Sequence, residues 1–288
     1  MSQAEWALAL FRKSVLKQAK YHQITALLDD PRGKQNLDLG GDNGVMSFLL
    51  RQRGGTWSSG DLDETTVAAI RSLVGDRVYR LVGSDLPFPD NSLDQIVVID
   101  YLEHLEEDRA AVQEFRRVLR PGGTLIVNVP RPKPRSLITR TRDAIGLTDA
   151  WHGHVRPGYT EESLRALLAP SFSIEVARTY SKAFSEAIDT ALNGLYEKLR
   201  AGGNGRAKSR KGTVVTGADM KSHRKAFKLM SVLHPVLWSV AKLDALLVGQ
   251  TGFKLIVRAR LTDKPDGPLD TDERLEQVRD IAPATFER

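Results

Sequence analysis

The chain has 288 residues, enough for one large domain or for a domain with a sizeable insertion. Its 41% hydrophobic and 27% charged residues are ordinary for a soluble globular protein, and the absence of cysteine excludes disulfides, thiolate zinc sites and cysteine nucleophiles. The formal charge of +6 is concentrated in residues 181–260, which contain 15 Lys and Arg against 5 Asp and Glu, a local net charge of +10.

Residues 1–34 are predicted to form an N-terminal helical segment. Apolar positions such as Leu10 and Val15 recur at helical spacing over residues 5–29, and Pro31 follows the pattern. No basic stretch precedes the short apolar run at the start, so we expect no signal peptide. No apolar run approaches the roughly 20 residues that span a bilayer. The absence of cysteine fits a reducing compartment, and we expect a cytoplasmic location.

Short apolar strands alternate with helices over residues 35–180, the predicted core. Strands are predicted at residues 36–39, 56–60, 78–82, 95–99, 124–129 and 172–180, and helices begin near residues 45, 65, 108 and 160. This alternation predicts an α/β fold with a mostly parallel sheet and helices on both faces. Ligands of such sheets bind at the carboxyl ends of the strands.

The remaining chain interrupts that pattern. Residues 181–251 are predicted to be a helical, basic insertion, and residues 252–261 supply the last core strand. The polar tail 262–288, rich in Asp and Pro, is predicted to be poorly ordered.

The motif "NLDLGGDNG" at residues 36–44 points to a ligand site. Its three glycines, Gly40, Gly41 and Gly44, do not have the G-x-G-x-x-G spacing of a nicotinamide site, and the Gly-Lys-Ser/Thr of a phosphate-binding P-loop is missing. Acid-Leu-Gly-x-x-x-Gly instead resembles the first motif of class I S-adenosylmethionine-dependent methyltransferases. The stretches "SGDLDE", "GSDLPFPDNSLDQIVV", "IDYLEHLEED" and "RRVLRPGGTLIVNVP" resemble their later motifs, in the same order, over residues 36–130.

This resemblance implies a Rossmann-like sheet of seven strands, one of them antiparallel, with the helical insertion before the last strand. It also implies S-adenosyl-L-methionine as the cofactor and S-adenosyl-L-homocysteine as the product. Asp38 matches the acid that lies near the cofactor's ammonium group. Asp61 matches the acid that accepts hydrogen bonds from the ribose hydroxyls, with Asp63 as the reserve; alternatively, Asp61 caps the helix that follows. Asp42 replaces a glycine that is usual in the loop and is expected on the ammonium side.

The other cofactor contacts are carried over from the same motifs. They are predicted at Leu62 beside the ribose acid, at Ser84, Asp85 and Leu86 for the adenine, and at Asp100 and Tyr101 beside the methyl-transfer point. Asp85 is equally compatible with a turn residue before Pro87.

Candidate catalytic residues lie in "IDYLEHLEED", which follows the fourth predicted strand, and in "WHGHVRPGYT". His154 with Tyr159 is the predicted acid/base pair, and His104 and Asp100 are further candidates. Alternatively, His104 and His154 are structural. Glu103 is either an acid behind the site or the start of a helix. No metal site is predicted.

The insertion leaves three readings open. Apolar residues recur at helical spacing between Leu229 and Leu247, after a basic stretch with Lys221, Arg224 and Lys225. In the first reading, residues 220–248 form only a cap on the core. In the second, the cap also shapes an apolar pocket or lies on an anionic membrane surface, on the inner face of the membrane. The third reading is contact with nucleic acid. Nucleic acid is disfavoured because the basic loop lacks interleaved aromatic residues.

The sequence thus predicts methyl transfer to a small or lipid-like acceptor at oxygen or carbon. "IDYL" replaces the Asn-Pro-Pro-Tyr motif after the fourth strand, which disfavours planar-nitrogen acceptors. The alternatives are a methyltransferase for a soluble polar metabolite or sugar, and a non-catalytic cofactor-binding scaffold.

Overall fold

A computed structural model describes residues 3–41, 43–169, 171–201 and 224–262. Asp42, Lys221 and the tail from residue 263 lie outside the described residues, and so do the predictions made for them.

Two helices, rather than the single predicted one, open the chain. They are α1 (Gln3–Phe11) and α2 (Val15–Leu27). The break comes at Ser14, whose extended backbone and hydroxyl cap α2 by accepting a hydrogen bond from the Lys17 amide at 3.3 Å. Helix α2 is buried against the sheet through Ile24 and Leu27.

The core is a seven-stranded sheet. Its strands are β1 (Gln35–Leu39), β2 (Thr56–Asp61), β3 (Val78–Arg80), β4 (Leu93–Ile99), β5 (Leu119–Pro130), β6 (Phe172–Tyr180) and β7 (Lys254–Leu261), in the spatial order β3-β2-β1-β4-β5-β7-β6. Strand β7 runs antiparallel to β5 and β6, and the other pairs are parallel. The predicted mostly parallel sheet with one antiparallel strand is confirmed.

The order of the strands fixes where a ligand can bind. Strands β2 and β3 lie on one side of β1, and β4 and β5 lie on the other. The first strands are thus added outward on one side of β1 and the next ones on the other side. The strand order reverses between β1 and β4, which is the usual place for a ligand crevice. Leu39 is level with Gly60 on β2 and with Val98 on β4, so the segments that follow these strands meet at one edge.

Helices cover the two faces of the sheet. The core helices are α3 (Val45–Arg51), α4 (Glu64–Val74), α5 (Asp108–Val118), α6 (Leu137–Ala144), α7 (Asp149–His152) and α8 (Glu161–Leu168). Helix α8 begins at a capping box formed by Thr160 and Ser163, where the sequence predicts the start of a helix. Helices α6 and α7 were not predicted, because the proline-rich loop after β5 obscures their short patterns.

Between β6 and β7 the structure describes α9 (Ala183–Ala201), α10 (Arg224–Lys242) and a 3-10 turn at Leu243–Leu246. Helix α10 packs on α9 and α2. It continues through Pro235, so no new helix begins there. The predicted apolar face is divided: Leu237 and Val240 are half-buried, whereas Val232 and Val236 are exposed.

Candidate active site

The glycine turn after β1 forms one wall of the crevice. Gly40 has φ +77° and Gly44 has φ +83°, a region that side chains rarely adopt. A β-carbon at Gly40 would collide with the carbonyl oxygen of Ile99 on β4, and one at Gly44 would lie 2.8 Å from the Ile70 Cα. The glycines are thus required by the close approach of β4 and α4 to the turn. Gly40 also lines a cavity at this edge of the sheet.

Asp38 lies at the end of β1, fully buried. Its carboxylate accepts hydrogen bonds from the hydroxyls of Ser47 and Ser59, the latter at 2.8 Å. Burial raises the pKa of Asp38 to about 6, although both hydroxyls and the charge of Arg51 act in the opposite direction. Asp38 does not itself line the cavity, so an influence on a ligand would pass through the turn above it or through water.

Asp61 ends β2 and lines the cavity, together with Leu62 and Asp63. The Asp61 carboxylate accepts a hydrogen bond from the Asp63 amide at 3.0 Å. Asp63 is the N-cap residue of α4, and its carboxylate accepts the Thr65 hydroxyl at 2.6 Å. Since Asp63 rather than Asp61 occupies the cap position, the structure favours Asp61 as the acid that faces a ligand.

The predicted adenine residues are not brought to the cavity: neither Ser84 nor Asp85 nor Leu86 lines it. The segment is held to α5 instead, because the Leu86 amide donates to Glu114 at 3.0 Å and Arg117 donates to the Leu86 carbonyl at 3.0 Å. Asp85 is exposed, as a turn residue before Pro87 would be.

Asp100 follows β4 with φ +45°, a strained geometry for a side chain, and lines the cavity. Its carboxylate accepts from Lys20 of α2 and from the Asn128 amide at 3.0 Å, and Lys254 lies at 3.6 Å. The Asn128 oxygen in turn accepts the Tyr180 hydroxyl at 2.5 Å. We call this set the Asp100 network.

Sequence reasoning found only Asp100 of the Asp100 network. The other members come from α2, β5, β6 and β7. Asn128 and Tyr180 lie near the carboxyl ends of β5 and β6, which was the available signal, whereas the positions of Lys20 and Lys254 carried none. Tyr101, the next residue along, also lines the cavity; burial raises its pKa, and nearby Asp61 adds to the effect.

Two of the predicted catalytic histidines lie side by side. His104, in a 3-10 turn (Leu102–His104), and His154 have ring centroids 5.0 Å apart, and both line the cavity. His104 Nδ1 is 2.9 Å from the Gly153 carbonyl oxygen, and His154 Nδ1 is 3.4 Å from Asp149 Oδ1. The imidazoles are therefore oriented by a carbonyl and a carboxylate.

Tyr159 is not brought beside His154. Its hydroxyl donates to Asp108 at 2.8 Å and accepts from Arg156 at 3.0 Å, and the residue does not line the cavity. Burial raises the pKa of Tyr159 to about 12, so the hydroxyl stays protonated at neutral pH. The geometry gives the Tyr159 hydroxyl a structural position between Asp108 and Arg156, outside the cavity lining.

The cavity has a volume of about 1370 Å³. Pockets for single small ligands usually measure about 300–1,000 Å³, so there is room for a cofactor and a second molecule. The part beside β2, β1 and β4 carries Gly40, Asp61 and Tyr101. The part beside β5, β7 and β6 carries apolar residues that include Pro130 and Phe253.

Comparisons with known proteins agree with this geometry. A family model described as a methyltransferase domain matches residues 37–127. A demethylmenaquinone methyltransferase of Clavibacter sepedonicus is 31% identical over 115 residues, which cover 38% of this chain and 47% of that protein. A probable S-adenosylmethionine-dependent methyltransferase of Mycolicibacterium smegmatis is 43% identical over 72 residues, 24% of this chain and 28% of that protein. This chain thus spans about half or less of the length of these relatives.

Two solved structures show the same fold at low identity. The cyclase SpnF has a TM-score of 0.54 at 21% identity, covering 86% of this chain and 82% of its own. An S-adenosylmethionine-dependent methyltransferase from Mesorhizobium loti has a TM-score of 0.52 at 17% identity, covering 84% and 97%. The family match at residues 37–127, the sheet order and the glycine turn together support a class I S-adenosylmethionine-dependent methyltransferase domain, and they imply S-adenosylmethionine as its cofactor.

Proposed function

We propose that this protein transfers the methyl group of S-adenosylmethionine to an amphiphilic, lipid-like acceptor, at oxygen or carbon. The observation that carries the proposal is that one continuous cavity joins the cofactor residues Gly40 and Asp61 to a second part with both apolar and charged side chains, such as Phe253 and Arg142.

The part of the cavity beside β1, β2 and β4 would hold the cofactor. Asp61 would accept hydrogen bonds from the ribose hydroxyls, and the Gly40 turn would let the backbone approach the methionine portion. Asp100 and Tyr101 would border the sulfonium, on the side of the second part of the cavity.

The reaction is an in-line displacement. The acceptor atom forms a bond to the methyl carbon while the carbon–sulfur bond breaks, and its electron pair stays on the sulfur of S-adenosylhomocysteine. Alignment of the reacting atoms contributes up to roughly 7–11 kcal/mol in well-oriented systems. An acceptor hydroxyl would lie against the wall that carries His104 and His154, and assisted loss of its proton there adds about 10² to 10⁴-fold.

Two observations support an amphiphilic acceptor. The second part of the cavity carries several apolar side chains, among them Leu16, Leu147 and Phe253. Relatives that share about a third of their residues over the matched region are named demethylmenaquinone methyltransferases, which suggests a quinone-like acceptor.

A contact with an anionic membrane surface belongs to the same proposal. Helix α10 and the turn after it leave apolar side chains exposed, at fractions of 74% for Val232, 59% for Val236 and 74% for Leu246. Lys242 lies 3.4 Å above the ring of Trp238, a pairing of cation and indole that suits a membrane interface. Within the described residues no helix is long and apolar enough to cross a bilayer, so we propose peripheral contact on the inner face.

A soluble polar acceptor is the second candidate. The specific observation in its favour is the charged lining near the transfer point, where Lys20 and Lys254 flank Asp100. These cations suit an acceptor with an anionic or hydroxyl-rich group. A non-catalytic scaffold is the third, since SpnF, named as a cyclase, has the same fold.

The test is methyl transfer with isotopically labelled S-adenosylmethionine. Acceptors would be a quinol that lacks a ring methyl group, presented in vesicles, and a panel of soluble sugars and hydroxy acids. We expect label in the organic extract, and none with the Gly40→Val variant. Label found only in water-soluble products would support the second candidate. Cofactor binding without transfer to either class would support the third.

A further inference from the structure

We propose that Glu103, His104 and His154 form a binding site for one divalent transition-metal ion on the wall of the cavity. Each residue offers one ligand atom, and these atoms all lie within 4.8 Å of one another. The sequence predicts no metal site, because the donors come from two distant segments and no local spacing reveals them.

The orientation of the two imidazoles supports this assignment. A histidine that binds a metal usually donates its other ring N–H to a carbonyl or a carboxylate. His104 Nδ1 faces the Gly153 carbonyl oxygen at 2.9 Å, and His154 Nδ1 faces Asp149 Oδ1 at 3.4 Å. A neutral ring that donates from Nδ1 carries its lone pair on Nε2. Both rings thus have the partners that would direct Nε2 to an ion.

The third donor is a buried acid. Glu103 is fully buried, and a buried carboxylate is normally paired or bound to a metal. The Glu103 carbonyl accepts a hydrogen bond from the Val155 amide at 2.9 Å. This bond ties the segment of His154 to the turn of Glu103 and His104, so the three donors are held by the backbone.

The donor types select the class of ion. Two imidazoles and one carboxylate are the protein ligands of many catalytic zinc sites and of non-haem iron(II) sites. Magnesium and calcium prefer ligand sets of oxygen alone. Both imidazoles line the cavity, so positions not taken by protein would open toward the acceptor.

The chemical role rests on the proposed function, although ion binding does not. An ion at this place would bind the acceptor hydroxyl and lower its pKa, as zinc lowers the pKa of bound water to about 7. The hydroxyl proton leaves to solvent, the oxygen bonds to the methyl carbon, and the carbon–sulfur pair remains on sulfur. The ion keeps its oxidation state, and the histidines act as ligands rather than as proton acceptors.

The experiment is titration of full-length, untagged, EDTA-treated protein with Zn²⁺ by calorimetry and with Co²⁺ by visible absorption, without S-adenosylmethionine. We expect one equivalent of each ion to bind. His154→Ala and Glu103→Gln should abolish binding, and Asp149→Asn should weaken it by about 10–100-fold, as changes behind a metal ligand do. His22→Ala, at an exposed histidine of α2 outside the donor set, is the control and should bind as the wild type does.

Absence of stoichiometric binding to the wild type would overturn the site, and so would equal affinity in all variants. If Glu103→Gln does not fold, the Asp149→Asn affinity decides. S-adenosylmethionine binding is measured separately on the metal-free protein. If the metal-free wild type does not bind S-adenosylmethionine but the wild type does bind Zn²⁺, the proposed function is refuted and the metal site stands.

Discussion

The carboxyl group of Asp38 links the stability of the protein to pH. It is completely buried, and burial raises its pKa from 3.8 to about 6, despite the two serine hydroxyls and Arg51. The folded state therefore holds this proton more tightly than the unfolded chain does. The stability that comes from this linkage is fully present below about pH 4 and is lost as the pH rises through about 6.

The magnitude follows from the two pKa values. A difference of about 2 units corresponds to roughly 3 kcal/mol, at about 1.4 kcal/mol per unit. Asp38→Asn keeps the size of the side chain and does not titrate. We expect the stability of the variant, relative to wild type, to rise by roughly 3 kcal/mol between about pH 4 and pH 7. A constant offset from a weakened serine hydrogen bond does not affect this difference.

The assay is urea denaturation of both proteins at several pH values, with the free energies of unfolding compared at each pH. Because the two proteins differ by one substitution, the contributions of the other titrating groups to the free energy of unfolding are the same in both and cancel in the difference. Parallel curves for wild type and Asp38→Asn would show that the buried carboxyl has an ordinary pKa, and the reasoning from burial would be refuted.

Three further predictions concern the site and the insertion. Asp61→Ala should weaken S-adenosylmethionine binding by about 1.5–3 kcal/mol in calorimetry. If Asp63→Ala weakens binding and Asp61→Ala does not, Asp63 is the ribose acid. Tyr159→Phe should leave turnover unchanged and lower the stability by about 1.5–3 kcal/mol, since it loses a hydrogen bond to the Asp108 carboxylate; slower turnover at wild-type stability would restore a catalytic role. Val236→Asp should reduce sedimentation with vesicles of acidic lipid, and unchanged sedimentation would remove α10 from the proposed contact.

The architecture could be predicted from the sequence because it depends on local patterns. Apolar runs of strand length alternate with helical periods, and the turn glycines mark the end of β1. The break at Ser14 was missed because a polar cap residue inside a continuous apolar period looks like an exposed position of one helix. Helices α6 and α7 were missed because they are short and follow a proline-rich loop that obscures their apolar patterns.

The site was predicted in part, for a related reason. Asp61, Asp100 and Tyr101 follow strands, and strand ends meet at one edge of a parallel sheet, so their positions along the chain imply their positions in space. Lys20 and Lys254 reach Asp100 from a helix and from an antiparallel strand. No local pattern encodes that meeting.

The histidines show the same limit. His104 and His154 were each recognised as candidates, but their contact with Glu103 depends on how the segment after β5 folds back over the turn after β4. The predicted partner Tyr159 lies close in sequence, yet its side chain pairs with Asp108 instead. Closeness in sequence was a poor guide to pairing in this loop.

Calorimetry of the purified protein with S-adenosylmethionine and S-adenosylhomocysteine, beside the Gly40→Val variant, tests cofactor binding most directly. We expect the wild type to bind one molecule of either ligand. Gly40→Val should bind neither, since the added side chain would meet the Ile99 carbonyl and project from a backbone at φ +77°. Folded wild-type protein that binds neither ligand would show that the glycine turn does not serve an S-adenosylmethionine site.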